Sequence, residues 1–164
     1  MHLFSITRDI KTIKSWKTCS LVLLFLLLPT ASFSQAWLTD LDSALVRASA
    51  GDKQVLLVFS GYDWCAPCIR FRSQVLNTTE FLDYASGNLV LVNIDFPRKK
   101  KNRPSPGVEK RNKDVADIYN KLGEFPKVLL IAKDGSDSKV VDHSFSEPWL
   151  FIMEIEQKRK ELEK

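Results

Sequence analysis

Apolar and polar positions along the chain change period several times. A basic start leads into an unbroken apolar run, Leu21 to Leu28, which Pro29 and small polar residues end. Beyond it, Leu38, Leu41, Ala44, Leu45 and Ala48 recur at helical spacing. Asp40 is available as a cap and Gly51-Asp52 stops the pattern, so a helix is predicted over 37–50. Gln54 to Phe59 is a short continuous run rich in β-formers, bounded by Asp52 and by Ser60-Gly61. Such a run suits a strand buried on both faces, hence a central one. Helical spacing returns with Phe71, Val75 and Leu76. Asn77-Thr78-Thr79-Glu80 closes that helix and can cap the next, through Phe81, Leu82 and Ala85.

Leu89 to Asp95 reads as a second buried strand. Pro97 to Gly107 is basic and carries three prolines, which predicts an exposed loop. Val115, Ile118, Tyr119 and Leu122 restore the helical period until Gly123. Val128 to Ala132 predicts a third strand, and Asp134-Gly135 a turn into a fourth, Lys139 to Asp142, antiparallel to it. Trp149, Leu150, Ile152, Met153 and Ile155 give a final helix whose charged tail, Glu156 to Lys164, is expected to fray. Neither an internal repeat nor a second domain is visible. The order β-α-β-α-β-β-α behind an extra N-terminal helix predicts an α/β domain, a mixed sheet flanked by helices on both faces.

With 164 residues, 45% of them hydrophobic, the chain can bury a real core, which argues against intrinsic disorder. Arg8, Lys11, Lys14 and Lys17, the apolar run, and Ser32 and Ser34 at suitable −3 and −1 positions read as a secretory signal peptide over 1–34, cut before Gln35. The domain then occupies 35–164. An uncleaved anchor is the alternative, since no charge falls between Lys17 and Asp40. The strongly apolar part is, however, well short of the roughly 20 residues a spanning helix needs. Cys19 precedes the apolar run instead of closing it, which argues against a lipoprotein. Both readings place the domain outside the cytoplasm, periplasmic or secreted, with membrane attachment only if the leader stays.

Losing four basic residues and one acid with the leader lowers the formal net charge from +4 to +1. The remaining basicity is concentrated in Arg98, Lys99, Lys100, Lys101, Arg103, Lys110, Arg111 and Lys113, with Glu109 the one acid among them. In an exported protein this reads as a solvated loop, about 97–113, a variable surface insertion with steering of acidic partners as the alternative, and not as a nucleic-acid site.

Without Cys19, the domain's two cysteines both lie in Trp64-Cys65-Ala66-Pro67-Cys68. A Cys-x-x-Cys that follows a buried strand and opens a helix sets Cys65 near unpaired backbone N–H groups, which favour a thiolate over a thiol. Cys68, one turn on and deeper, can resolve a mixed disulfide formed at Cys65. Pro67 suits a first helical turn. Trp64 is expected to shield the sulfurs and offer substrate an apolar face. Three other readings compete. A structural staple closing so short a loop stabilises by only about 2 kcal/mol. Zinc wants about four ligands, against two thiols and His143 here, so neither a metal nor a cofactor beyond the Cys65–Cys68 pair is expected. A redox-inert domain with a vestigial motif stays open.

Val55-Leu56-Leu57-Val58-Phe59, the Trp64 to Cys68 run, Val92-Asn93-Ile94-Asp95, Phe125-Pro126-Lys127-Val128 and Asp134-Gly135 resemble successive landmarks of the thioredoxin family, most closely its exported bacterial members. The resemblance spans nearly all of 37–160. It implies a thioredoxin fold, a cis-proline at Pro126 beside the disulfide, and Phe125 offering backbone hydrogen bonds to an extended substrate. It also implies a monomeric thiol:disulfide oxidoreductase acting on disulfides of exported proteins. Proline before the second cysteine resembles the reducing members, which a membrane or periplasmic donor keeps reduced. An oxidase or isomerase, or a non-catalytic binding module using the Phe125-Pro126 groove, are the alternatives.

Two departures stand out. The family's buried Asp falls in the region of Val58-Phe59 and its Lys partner at Leu91, so both charges are absent together. Either alone would be an uncompensated buried ion. Water, Asp63 or Glu124 is then expected to take the proton of Cys68. The basic loop is also longer than in a minimal thioredoxin. Trp37, Tyr119 and Trp149 are expected in the core, and His143 to be structural or merely exposed.

Overall fold

The computed structural model describes residues 36–144 and 147–163; the leader and its cleavage point lie outside them. Four strands, β1 (Gln54–Ser60), β2 (Leu89–Asp95), β3 (Lys127–Ile131) and β4 (Ser138–Val140), form one sheet in the order β2-β1-β3-β4. β1 pairs parallel with β2 and antiparallel with β3, and β4 is antiparallel to β3. The continuous run from Gln54 to Phe59 thus occupies the interior of a mixed sheet.

Alternation along β1 sends its side chains into two cores. Leu56 and Val58, with Leu91, Val128 and Leu130, pack under α2 (Ala66–Phe71), α3 (Thr79–Asn88) and α5 (Pro148–Leu162), where Phe71, Phe81 and Phe151 lie. Val55, Leu57 and Phe59, with Ile94 and Ile131, face α1 (Leu41–Gly51) and α4 (Pro106–Tyr119). Helices cover both faces, as the order of elements predicted.

Several elements differ from their sequence reading. Helix α1 starts at Leu41, not 37. Leu38 instead bridges Val92, its N–H donating to Leu91 O and its carbonyl accepting from Asn93 N, each at 2.8 Å. The open edge of β2 offers unpaired backbone groups that outcompete one more helical turn. Asp40 then caps the helix through the Ser43 N–H at 3.1 Å. Helix α2 passes into a π-helical turn, Arg72–Leu76.

Helix α4 begins at Pro106, so only the first half of the basic stretch is a loop, with a 3-10 turn at Lys100–Asn102. Its buried face is Asn112, Val115, Ala116 and Tyr119; Ile118 and Leu122, expected on the apolar stripe, are exposed. Asn112 takes a place the apolar pattern could not mark, donating its amide to Asp95 O at 3.2 Å.

Helix α5 runs through the charged tail to Leu162 instead of fraying. Arg159 explains this: it donates to Gln54 Oε1 (2.8 Å), Asn88 Oδ1 (3.0 Å) and Glu156 Oε1 (2.8 Å), while Tyr84 donates to Glu156. Trp37 and Tyr119 pack against the cores, but Trp149, expected inside, is half exposed.

Candidate active site

β1 ends at Ser60, which is fully buried. Its Oγ lies 2.8 Å from Asn93 Oδ1 and 3.0 Å from Asp95 Oδ1, and the same Asp95 oxygen accepts from the Tyr62 N–H at 3.0 Å. The end of β2 therefore anchors the turn leading to the cysteines. Gly61 O accepts from the N–H groups of both Trp64 and Cys65, at 3.0 and 2.7 Å.

Trp64 is wedged in place. Its Nε1 donates to Phe96 O at 2.7 Å, its ring meets Phe125 edge-on at 5.3 Å, and the Arg98 guanidinium covers it at 3.7 Å. The expected apolar face is thus partly capped by a cation. A Cβ at Gly61 would fall 2.3 Å from the Trp64 ring. Gly61→Ala is accordingly expected to cost about 1–3 kcal/mol, read as a lower denaturation midpoint. An unchanged midpoint would show that the indole can move freely.

Cys65 is the N-cap of α2, and its Sγ accepts from the Cys68 N–H at 3.2 Å. This donor favours negative charge on that sulfur. Cys65 and Cys68 form a disulfide with their Cα atoms 5.3 Å apart. Both cysteines are buried, Cys65 with 4% of its surface exposed and Cys68 with 1%. Ala66 and Pro67 are exposed on the first turn.

The Phe125–Pro126 peptide is cis. Pro126 is buried, and Phe125 packs on Trp64 and on Phe96 at 5.6 Å. Asn120 aims this loop: its amide donates to Glu124 O and accepts from Glu124 N, both at 2.9 Å. A cleft of about 280 Å³ joins Pro67 and Pro126, with Arg70, Gln74 and His143 on its walls. His143 leans edge-on against Phe71 at 5.8 Å. Sequence reasoning gave it no place beside the motif, because only folding brings the segment after β4 to α2.

The two carboxylates considered as proton acceptors have other partners. Asp63 accepts from the N–H groups of Arg98 and Lys99 (2.9 Å each) and from the Asn102 amide (3.0 Å). Desolvation pushes its carboxyl up, yet these donors outweigh that and hold it below the ordinary carboxylate range. Glu124 pairs with Lys127 at 2.7 Å. Val58 and Leu91 share one apolar cluster, so the missing charge pair is replaced by packing. Gly61, Ser60 and Asn120 escaped sequence reasoning. Gly61 showed only as a strand boundary, and an isolated Ser or Asn carries no signal of what it will be buried against.

A Cys-x-x-Cys disulfide at a helix start, together with a cis-proline loop leading into the antiparallel partner of the same central strand, defines a thioredoxin-fold protein with a thiol–disulfide exchange centre. The chain belongs to the Thioredoxin-like family, whose model matches residues 36–132. It is 31% identical over 107 residues to a disulfide bond reductase, DsbH, of Chlamydia pneumoniae, covering 65% of this chain and 62% of that protein. The chain thus spans a little under two thirds of that relative's length. Among solved structures it resembles a DsbH oxidoreductase (28% identity, TM-score 0.61, 80% of this chain and 90% of that one). It also resembles the oxidised C-terminal domain of DsbD from Neisseria meningitidis (25% identity, TM-score 0.51, 74% and 98%).

Proposed function

We propose that this protein is an exported protein-disulfide reductase. The observation that carries the reading is the Cys68 N–H directed at the Sγ of Cys65, the more exposed member of a disulfide-forming pair. The Cys65 thiolate attacks one sulfur of a substrate disulfide, and the other sulfur leaves as a thiolate. Cys68 gives its proton to water, since Asp63 and Glu124 are held by other groups, and attacks the Cys65 sulfur. The second substrate sulfur leaves, and two electrons have passed from the dithiol to the substrate. A membrane or periplasmic dithiol donor then restores Cys65 and Cys68. The reducing direction is supported by Pro67 before the second cysteine and by the similarity to DsbH, a disulfide bond reductase.

Equilibration of the pair against a dithiothreitol or glutathione buffer tests the direction. A potential below about −200 mV is expected, towards the thioredoxin value near −270 mV; a value near −120 mV would make the protein an oxidase instead.

Residues 1–34 act in this reading as a cleaved signal peptide, which the order of basic, apolar and small residues supports. The intact mass of the exported protein is expected to correspond to a chain beginning at Gln35. A full-length mass in the membrane fraction would favour the anchor.

A further inference from the structure

The basic stretch, which exchange chemistry does not use, is divided in two by the fold. On α4, Lys110 pairs with Asp114 and Lys113 with Asp117 one turn on, at 2.7 and 2.8 Å. In the preceding loop, Arg98, Lys99, Lys100, Lys101 and Arg103 are all exposed. Among the described residues no side-chain nitrogen of these five lies within 4 Å of a carboxylate oxygen. Five cations within six positions are thus left uncompensated by direct pairs.

The same loop is fastened to the motif. Asp63, two residues before Cys65, holds the backbone of Arg98 and Lys99 and the side chain of Asn102, and Trp64 holds Phe96 O. Asp63 spends its oxygens on these N–H groups and forms no side-chain ion pair with the loop, although the Lys99 charge acts on it from nearby. Arg98 lies over the Trp64 ring, which fixes the start of the cationic edge beside the residue preceding the nucleophile. No exposed large apolar side chain falls between 96 and 104, so the edge offers nothing to insert into a lipid surface.

We propose that this edge docks an acidic segment of the polypeptide whose disulfide Cys65 attacks. The proposal rests on the exchange reading and names its substrate class: disulfides with Glu or Asp nearby in sequence. At about 3.3 Å per extended residue, an acid roughly two to four positions from the reacting cysteine reaches about 7–13 Å along the substrate from the attacked sulfur. Clustered charge of one sign raises encounter rates by 10-fold or more, and the effect fades as salt shortens the screening length.

The test compares two disulfide-closed peptides that differ only in three flanking residues, Glu in one and Gln in the other. For the purified protein, kcat/KM is expected to favour the Glu peptide about tenfold at about 20 mM salt and hardly at all at about 500 mM. In the variant Lys99→Gln/Lys100→Gln/Lys101→Gln/Arg103→Gln, with Arg98 kept on Trp64, the ratio should fall to about one at both. A ratio near one in the unaltered protein at low salt, or an undiminished ratio in the variant, overturns the proposal. A linear Glu peptide with serine for cysteine separates docking from chemistry. Fluorescence anisotropy should show it binding the unaltered protein about tenfold more tightly than the variant at low salt. That difference without turnover of either disulfide peptide would sink the exchange reading and leave docking standing; equal binding would sink docking whatever the turnover. Capture of the protein by phosphatidylglycerol vesicles with no Glu-peptide preference would overturn the proposal and assign the edge to lipid.

Discussion

Cys65→Ser is expected to lower insulin-disulfide reduction by on the order of 10³-fold or more, because a nucleophile acting as part of a unit has no substitute. Cys68→Ala should fail differently. It leaves the sulfur at Cys65 able to attack but removes the thiol that resolves the mixed disulfide. Partners should then accumulate covalently on the protein, visible as adducts that dithiothreitol releases. The asymmetry is the informative part. Cys65 is the helix cap with the larger exposure, while Cys68 lies deeper with its N–H turned on its neighbour's sulfur. If Cys65→Ala trapped partners and Cys68→Ala did not, the two roles would be reversed. If neither substitution changed reduction or trapping, the domain would be a binding module and not an exchange catalyst.

Phe151→Ala should give the largest loss of stability, about 3–5 kcal/mol. Phe151 is fully buried on α5, and its ring meets Phe71 at 5.1 Å and Phe81 at 5.8 Å. Removing it leaves a cavity where α2, α3 and α5 meet, beneath the helix that carries Cys68. The loss is read directly from the shift of a urea or guanidinium transition. Trp149→Ala on the same helix is the internal control: its larger side chain is half exposed, and about 1 kcal/mol or less is expected. A Phe151→Ala cost below that of Trp149→Ala would mean that the site relaxes to fill the space.

The strands were the most legible elements. Leu89 to Asp95 coincides with β2, and the run from Gln54 grows by one residue, Ser60, in β1. Continuous apolar runs require burial on both faces, which the helices on the two sides of the sheet provide for central β1 and edge β2 alike. Helix ends were less legible because partners distant in sequence decided them. Leu38 left its helix for the edge of β2, and the tail of α5 stayed helical through contacts of Arg159 with Gln54 and Asn88. Periodicity registers which residues face one way, not which distant backbone group or amide will be waiting there. Tyr119 and Trp149 show the same limit, since both fit a helical stripe and only one is packed.

By itself the sequence determined the sheet, the pair Cys65 and Cys68, and, through the landmarks around it, the place of Pro126. Each depends on local order: strand, then turn, then helix start. Tertiary structure alone decided what surrounds that pair. It laid Phe96 O, the Phe125 ring and the Arg98 guanidinium around Trp64, and turned Asp63 from a candidate base into the tether of Arg98 and Lys99. The basic stretch divides on the same line: local helix geometry pairs Lys110 and Lys113 with acids one turn away, while the five cations of the loop have no such pairs. The physical reason is one of reach: a charge four residues along a helix is fixed by local geometry, whereas Asp63 and Arg98, 35 positions apart, meet only once β1 and β2 lie side by side.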